Sequence, residues 1–330
     1  MLKLNRRLRI LDLDGSITDT QTGVMARVGS ARAFTVPARD LGPRIRYLAT
    51  RGAMRTLAAR LAAADRDCLT LFGSGDFHHV SAALLGRFPA EASLTVVVFD
   101  RHPDGDRRSP WPCCGSWILE ALRMPQVQAV VVIGLGSHDI AGWRVTVGPV
   151  RALRSGKASF YPFDCPPSYA FVGGGLPAEL PCASFAVGPL PLSAEIRWHN
   201  LAADLAPNDW NGRMRRIVAT IPTRDIYLSI DKDCLTPDAA LTNWEPGHLP
   251  LANVLAGIGI LAGERDIVGA DITGEYSSAE IASPYFRRLY AADRPASAPG
   301  HPGSDMPEPD RATLRRNEET NHSLLSVLGF

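Results

Sequence analysis

Short apolar runs that alternate with segments of helical period are the feature that most constrains how this chain of 330 residues can fold. The runs are apolar throughout rather than at every second position, which is typical of strands buried on both faces. We therefore expect a mostly parallel sheet covered by helices on both sides, a three-layer α/β/α architecture. The predicted strands span residues 8–14, 68–73, 94–100, 128–134, 225–231 and 266–272.

The segments between these strands predict helices that carry an apolar stripe and open near a Gly, Ser or Pro. Between about residue 144 and residue 198 the period gives way to Gly, Pro and short apolar runs, and the sequence predicts no element there. The predicted helices span residues 42–64, 80–87, 115–123, 249–262 and 277–290.

The end of the chain differs in composition from the rest. Residues 292–315 are rich in Pro, Gly, Ser and Asp and offer little to bury, so ordering them would cost conformational entropy without compensation. Helical spacing then returns, with Leu324, Leu325 and Leu328 on one side. We predict one domain over residues 1–290, a flexible linker over 291–315 and a C-terminal helix over 316–330 that packs on the domain.

The charge balance excludes several classes of partner. Thirty-five Lys and Arg against 34 Asp and Glu give a formal net charge of +1, without the basic excess typical of nucleic-acid binding. The longest uncharged apolar stretches fall short of the roughly 18 to 20 residues that a membrane span needs. Six scattered cysteines without a CxxC pair argue against a disulfide scaffold. We expect a cytoplasmic protein with no nucleic-acid or membrane partner.

The strongest local signal is "VVVFDRHPDGD", where Asp100, His102 and Asp104 follow an apolar strand at spacings of two. Residues at this spacing in an extended segment project to one side, so two carboxylates and an imidazole meet in a small volume. A divalent cation relieves their repulsion, and these ligand types suit manganese, zinc or iron. By itself the motif fits a solvated loop of mixed charge equally well.

Two further strands end in candidate ligands. "DIYLSIDKDCLTP" ends in Asp231 and Asp233, and "CLTLFG" runs into "SGDFHHVSAALL" with His78 and His79. Taken alone, each segment fits an exposed turn or a capped helix. Three strand ends that all deliver oxygen or nitrogen ligands are better explained by one site, because ligands bind at the carboxyl ends of strands in open α/β sheets.

One histidine, the Asp-His-Asp set and the Asp pair supply six ligands, with too many carboxylates for a single metal. Two metals that share bridging carboxylates would use them all, as in hydrolases that activate a bridging water. The ligand count therefore favours a dinuclear metal hydrolase.

The three segments together resemble the ureohydrolases, the arginase and agmatinase family. "FDRHPD" is similar to the DAHxD motif, "SIDKDCLTP" to S-[FI]-D-x-D-x-x-D-P, and "GDFHHVSAALL" to the GGDHS segment, and the resemblance covers approximately residues 68 to 290. His78 is preferred to His79 because "HHVSAALL" then aligns without gaps on the family's continuation. The resemblance implies an arginase/deacetylase-like fold and two metal ions, with manganese as the expected metal. The implied ligands are His78, Asp100, His102, Asp104, Asp231 and Asp233.

The resemblance also implies a reaction. The metal pair would activate water for attack on the carbon of a guanidinium or amidine in a small-molecule substrate, and Asp104 would hold and then shuttle the proton. Oligomers are frequent in the family, so a homo-oligomer is open, although no sequence feature fixes an interface.

The sequence departs from the family at its substrate-recognition positions. The family's "D-[IV]-x-E-V-x-P", whose Glu pairs with the substrate guanidinium, corresponds to "DITGEYSS", with Gly274 at the expected place and Glu275 one residue later. Cys114 precedes Gly115 where arginases carry a shuttle His before Gly. We therefore expect a divergent member whose substrate is not arginine, with Glu275 as the candidate substrate-binding residue.

Other functions compete with this one. "RILDLDGSITDT" resembles the haloacid dehalogenase phosphatases, with Asp12 as nucleophile and Asp14 as acid/base, although the downstream Lys and acidic pair of those enzymes are not evident. The altered Glu and His positions also fit an arginase-fold binding protein that has lost catalysis. The histone-deacetylase relatives use one zinc and a different Asp/His set, so the six-ligand pattern argues against them.

Overall fold

The computed structural model describes residues 7–19, 22–29, 32–62, 68–107, 109–136, 138–144, 150–172, 179–202, 209–294 and 310–330. Its strands are β1 (Leu8–Asp12), β2 (Ala33–Pro37), β3 (Leu69–Leu71), β4 (Leu94–Phe99), β5 (Val127–Leu135), β6 (Ala158–Pro162), β7 (Ser168–Phe171), β8 (Ala183–Val187), β9 (Ser193–Trp198), β10 (Asp225–Asp231) and β11 (Asp266–Thr273). The helices are α1 (Thr22–Val28), α2 (Gly42–Ile45), α3 (Arg51–Ala62), α4 (Val80–Leu85), α5 (Trp117–Ala121), α6 (Val150–Arg154), α7 (Trp210–Ala219), α8 (Leu251–Glu264), α9 (Pro284–Asp293) and α10 (Arg311–Val327).

Eight strands form one sheet in the order β2-β1-β3-β11-β10-β4-β5-β6, and every pairing in it is parallel. The helices pack in two series. One runs from α7 through α8 and α10 to α1, and the other from α2 through α3 and α4 to α5. Strand β4 is buried along its whole length, as a parallel strand covered on both faces must be. The predicted α/β/α fold class is confirmed.

The register of the sheet brings the ends of its central strands side by side. Ile230 of β10 lies opposite Phe99 of β4, so the residues that follow them, Asp231 and Asp100, leave the sheet together. Strand β11 lies on the other side of β10 and pairs with β3 in turn. The three segments predicted to supply ligands therefore emerge at one edge of the sheet.

Two predicted helices are wrong in extent. The helix predicted over residues 42–64 is interrupted between α2 and α3, where Tyr47 has a left-handed backbone (φ 66°) and its amide donates to the Asp76 carbonyl. At this break the Arg46 side chain points into the interior, where it donates a hydrogen bond to Asp76. The helix predicted from residue 277 begins only at Pro284, after the Ser283 cap.

The segment in which the sequence predicted no element contains the edge strand β6 and a separate antiparallel sheet in the order β7-β9-β8. Strand β2 and helices α1 and α7 were also not predicted. Within the described residues, no helix is both long and apolar enough to cross a membrane.

Helix α10 packs on α8 and α1, and its Leu324 and Leu325 are buried, as is Leu328 immediately after the helix. Most of the predicted linker, residues 295–309, lies outside the described residues. The division into a domain, a linker and a terminal helix stays a prediction.

We expect the docked face of α10 to contribute to global stability. Leu324→Ala removes a fully buried side chain and should lower the free energy of unfolding by about 2–5 kcal/mol. The exposed neighbour Ser326 provides the control, since Ser326→Ala should change the free energy of unfolding by less than about 0.5 kcal/mol. Urea unfolding measures both, and equal small effects would show that α10 is not docked in solution.

Candidate metal centre

Six side chains from three chain segments meet at the carboxyl edge of the sheet. His78 follows a short 3-10 turn (Gly75–Phe77) after β3, and Asp231 is the last residue of β10. Asp233 lies in the next 3-10 turn (Lys232–Cys234). The "DRHPD" segment that follows β4 supplies the remaining three, Asp100, His102 and Asp104.

The first group of ligand atoms surrounds one nitrogen of His78. Its Nδ1 lies 2.9 Å from Asp104 Oδ2, 3.2 Å from Asp100 Oδ2 and 3.4 Å from Asp231 Oδ2. All four residues are buried. This is the arrangement of a cation site built from one imidazole and several carboxylates.

The second group adjoins the first. His102 Nδ1 lies 2.8 Å from Asp233 Oδ2 and 3.8 Å from Asp100 Oδ1. Asp100 thus presents one carboxylate oxygen to each group, as a bridging ligand does. The structure brings all six predicted ligands together in two joined sets.

Burial dominates the electrostatics of this cluster. It raises the pKa of Asp100 well above its ordinary value, and the neighbouring carboxylates Asp104 and Asp233 raise it further. Burial and the charge of Asp233 raise the pKa of Asp231 to about 7. Burial alone would raise the pKa of Asp233 too, but the contact with His102 lowers it. A cation would remove the repulsion that these shifts express.

The residues present fit a divalent metal pair. The buried Oδ2 of Asp100 accepts no hydrogen bond from the described residues, an unusual condition for a carboxylate oxygen. Asp231 is enclosed between two glycines, because a Cβ at Gly75 would lie 2.7 Å from its Oδ2 and a Cβ at Gly274 would lie 2.5 Å from its Oδ1. Carboxylate oxygens with imidazole nitrogens are suitable ligands for manganese, zinc or iron.

A buried hydrogen-bond chain orients His78. Tyr227 and Ser229 donate to the two oxygens of Asp271, at 2.6 and 2.7 Å. Ser229 Oγ then lies 2.9 Å from His78 Nε2 and accepts from it. This arrangement places the proton of the neutral ring on Nε2 and leaves the Nδ1 lone pair toward the carboxylates, as metal-ligating histidines require.

Asp104 is held by its backbone and by a tryptophan. Its φ of 42° lies in the left-handed region, which is uncommon outside glycine. The fully buried indole of Trp117 donates from Nε1 to Asp104 Oδ2 at 2.7 Å. The carboxylate of Asp104 is therefore fixed in position beside His78.

A second buried network fastens the turn that carries His78. Arg46 Nε lies 2.7 Å from Asp76 Oδ2, which also accepts from the hydroxyl of Tyr290 at 3.1 Å. Trp244 Nε1 donates to the other oxygen of Asp76 at 2.9 Å. Sequence analysis missed this network, because nothing in a predicted helix over 42–64 marks Arg46 as buried.

Comparison with solved structures identifies this architecture. The arginase of Bacillus caldovelox is similar over 98% of this chain and 99% of its own, with a TM-score of 0.57 and 15% identity. The proclavaminate amidino hydrolase of Streptomyces clavuligerus is similar over 98% and 93%, with a TM-score of 0.53 and 15% identity. The chain has the arginase fold. The predicted resemblance to the ureohydrolases is thus confirmed at the level of fold.

Comparison of sequences shows a weaker similarity than comparison of structures does. No family model matches the arginase-fold chain. An uncharacterized protein of Thermotoga maritima is 26% identical over 210 residues, which cover 63% of this chain and 58% of that relative. The match therefore spans less than two thirds of the relative's length.

The arginase-fold chain directs Glu275 away from the cluster. Its carboxylate forms a buried ion pair with Lys232 and accepts from Asn321 Nδ2 at 2.7 Å. It is not among the described residues that line the cavity at the metal centre. Gly274, at the family's Glu position, has a φ of 89° and packs against Asp231, so no side chain fits there without displacing a ligand.

His79 and Cys114 do not take part in the cluster. Burial and the neighbouring His78 lower the pKa of His79 to about 3, which keeps this buried ring neutral. Cys114 lines the cavity, but burial raises its pKa well above the ordinary value. A protonated thiol cannot replace a shuttle histidine near neutral pH.

The "DLDG" carboxylates at the end of β1 have other partners. Asp12 pairs with Arg39 at 2.7 Å, and Asp14 accepts from Ser277 Oγ at 2.6 Å and from the Ser74 amide at 3.2 Å. Neither is among the described residues that line the cavity. These contacts give both carboxylates local structural roles.

The cavity over the cluster has a volume of about 990 Å³. Its walls combine aromatic rings with carboxylates that do not belong to the ligand set. The aromatic residues are Tyr47, Trp111, Phe160, Trp244 and Tyr285, and the additional acids are Asp106, Asp139, Glu245 and Asp293.

We expect metal binding to release protons. Burial and Asp233 give Asp231 a raised pKa of about 7, so the metal-free site is partly protonated below neutrality and a cation must displace those protons. The apparent affinity for Mn²⁺ should therefore rise as the pH increases through about 7. Calorimetry in buffers of different ionisation enthalpy measures the protons released, and an affinity independent of pH would contradict this expectation.

Gly274→Ala should weaken the metal centre as well as the fold. A Cβ there would lie 2.5 Å from Asp231 Oδ1, and the alanine would have to adopt the positive φ of Gly274. We expect a cost of about 1–3 kcal/mol in stability. Gly156→Ala imposes similar backbone strain (φ 71°) with nothing within 4 Å, so it isolates the strain. Mn²⁺ titration should show weaker binding in Gly274→Ala only, and equal binding in both would refute the role of Gly274.

Proposed function

We propose that this protein is a dinuclear metal-dependent hydrolase that cleaves a C–N bond of a guanidino or amidino compound. The observation that carries the proposal is the pair of ligand groups joined through Asp100. Manganese is the proposed metal. The arginase fold supports the proposal without fixing the reaction.

The ligand set and its surroundings support a hydrolytic reaction. Two divalent cations held by the six residues would lower the pKa of a water molecule and so supply hydroxide near neutral pH. Trp117 fixes Asp104 Oδ2, and we infer that Oδ1 of the same carboxylate takes the proton and returns it to the leaving amine.

The cavity walls favour a cationic substrate. Beyond the ligand set, four carboxylates and one guanidinium, that of Arg144, line the described cavity. Glu245 is partly neutralised by Arg101 at 3.3 Å, whereas Asp293 accepts from the Tyr47 hydroxyl at the rim. Aromatic faces add attraction for a delocalised cation. These features suit a guanidinium or amidinium group.

Arginine is not the proposed substrate. The family's guanidinium-pairing Glu is replaced by Gly274, and Glu275 is engaged with Lys232. The same observation favours the second candidate, an arginase-fold binding protein without catalysis. Turnover distinguishes the two.

We propose a small-molecule substrate, as the resemblance to the ureohydrolases implies, and a cytoplasmic location with no nucleic-acid or membrane partner, which the charge balance and the scattered cysteines support. No sequence feature fixes whether the protein forms a homo-oligomer.

A screen of guanidino and amidino compounds with the Mn²⁺-loaded protein tests the proposal. We expect release of urea or an amine from at least one cationic member. Asp104→Asn should reduce this rate at least about 100-fold, because it removes the proton acceptor and a ligand. Release of urea and ammonia or amine is measured by colorimetric assay and mass spectrometry.

Asp12→Asn is the control, because Asp12 bonds Arg39 outside the cavity. It should retain the C–N hydrolase activity. A phosphatase activity lost in Asp12→Asn would instead favour the haloacid dehalogenase hypothesis. A metal-loaded protein that binds guanidino compounds without any turnover would favour the binding protein.

A further inference from the structure

A buried ion pair that the proposed reaction does not use lies directly behind the metal centre. Lys232, between the ligands Asp231 and Asp233 in the chain, is fully buried, and its ammonium contacts the Glu275 carboxylate. Glu275 is only 2% exposed. Two charges removed from water at this position need a structural reason, because desolvating such a pair offsets much of its attraction.

The third member of the cluster comes from the C-terminal helix. Asn321 of α10 donates to Glu275 Oε1 at 2.7 Å and accepts from Lys232 Nζ at 3.2 Å. Its amide thus satisfies both charged partners at once, and it is itself fully buried. Helix α10 therefore contacts the metal-ligand segment through the side chain of Asn321.

The backbone holds Glu275 firmly in this place. Its amide donates to the Gly73 carbonyl at 3.0 Å, just before the turn that leads to His78. The preceding residue, Gly274, lies against Asp231 and the Lys232 amide. The Glu275 carboxylate is consequently positioned relative to two ligand-bearing segments.

Loss of this carboxylate would leave a buried ammonium without its main partner. An uncompensated buried charge is costly, so an amine that keeps its proton must pair with another anion. Asp231 is the residue before Lys232 in the chain, so its carboxylate is one of the two nearest along the backbone. An ammonium drawn toward Asp231 would compete with a divalent cation for the same carboxylate.

We propose that Glu275 and Asn321 are positioning residues that hold the Lys232 ammonium away from Asp231 and so keep Asp231 available as a metal ligand. Glu275 then serves metal affinity rather than substrate binding, and α10 is part of the machinery of the site. This inference rests on the proposed metal centre, which the experiment tests separately.

Calorimetric titration of Mn²⁺ into the metal-stripped full-length protein tests the inference. Glu275→Gln keeps the shape and removes the charge, and it should weaken binding about 10- to 100-fold, as changes behind metal ligands typically do. Lys232→Met combined with Glu275→Gln removes the competing ammonium. The double variant should recover binding to within about threefold of the wild type, since replacing both buried partners removes the uncompensated charge.

Matched substitutions on α10 separate positioning from docking. Asn321→Ala should weaken Mn²⁺ binding. Asn317→Ala should destabilise the fold but leave the affinity for Mn²⁺ unchanged. Asn317 is equally buried, but it bonds the backbone of Leu241 at 2.7 and 2.8 Å instead of Lys232. Thermal unfolding of the metal-free variants compares their stabilities.

The outcomes are distinct. If the wild type binds Mn²⁺ and Glu275→Gln binds it with the same affinity, the inference is overturned. The inference is also overturned if the double variant does not recover binding. In both cases the proposed function stands. A wild-type protein that binds no Mn²⁺ would overturn the proposed function itself.

Discussion

Repulsion among four buried carboxylates is the constraint on which the rest of this structure depends. Asp100, Asp104, Asp231 and Asp233 meet at one edge of a parallel sheet, where little of their surface is exposed to solvent. Their proximity raises the pKa of Asp100 beyond the effect of burial itself. Such a cluster costs free energy in any folded chain unless cations occupy it, so its assembly from three distant segments points to metal binding.

The surrounding structure holds each ligand-bearing segment by a separate buried device. The Tyr227–Asp271–Ser229 chain orients His78 after β3, and the indole of Trp117 fixes Asp104 after β4. The Lys232 segment after β10 is tied to α10 through Asn321. Because these devices use side chains from strands β10 and β11 and from helices α5 and α10, the geometry of the metal centre depends on packing throughout the domain.

Sequence analysis predicted the parts that follow from strand geometry. Continuous apolar runs identify β4 and β10, and the acidic motifs that follow them identify ligand-bearing segments. Sequence analysis was wrong to treat Asp100 to Asp104 as extended, because this stretch lies beyond β4 and Asp104 has a left-handed backbone (φ 42°). It failed where a residue's place depends on a distant partner. Arg46 interrupts a helical pattern to reach Asp76, and Glu275 turns to Lys232 and Asn321, contacts that no local pattern encodes. The small antiparallel sheet was missed because its strands are short and half-exposed.

The number of Mn²⁺ ions bound per chain tests the account most directly. Metal analysis of the purified, Mn²⁺-equilibrated protein after removal of free metal should find two ions per chain, because the ligands form two groups joined through Asp100. Asp100→Asn should reduce both sites together, since its two oxygens serve both groups. A folded protein that retains no Mn²⁺, or whose binding is unaffected by Asp100→Asn, would contradict the account.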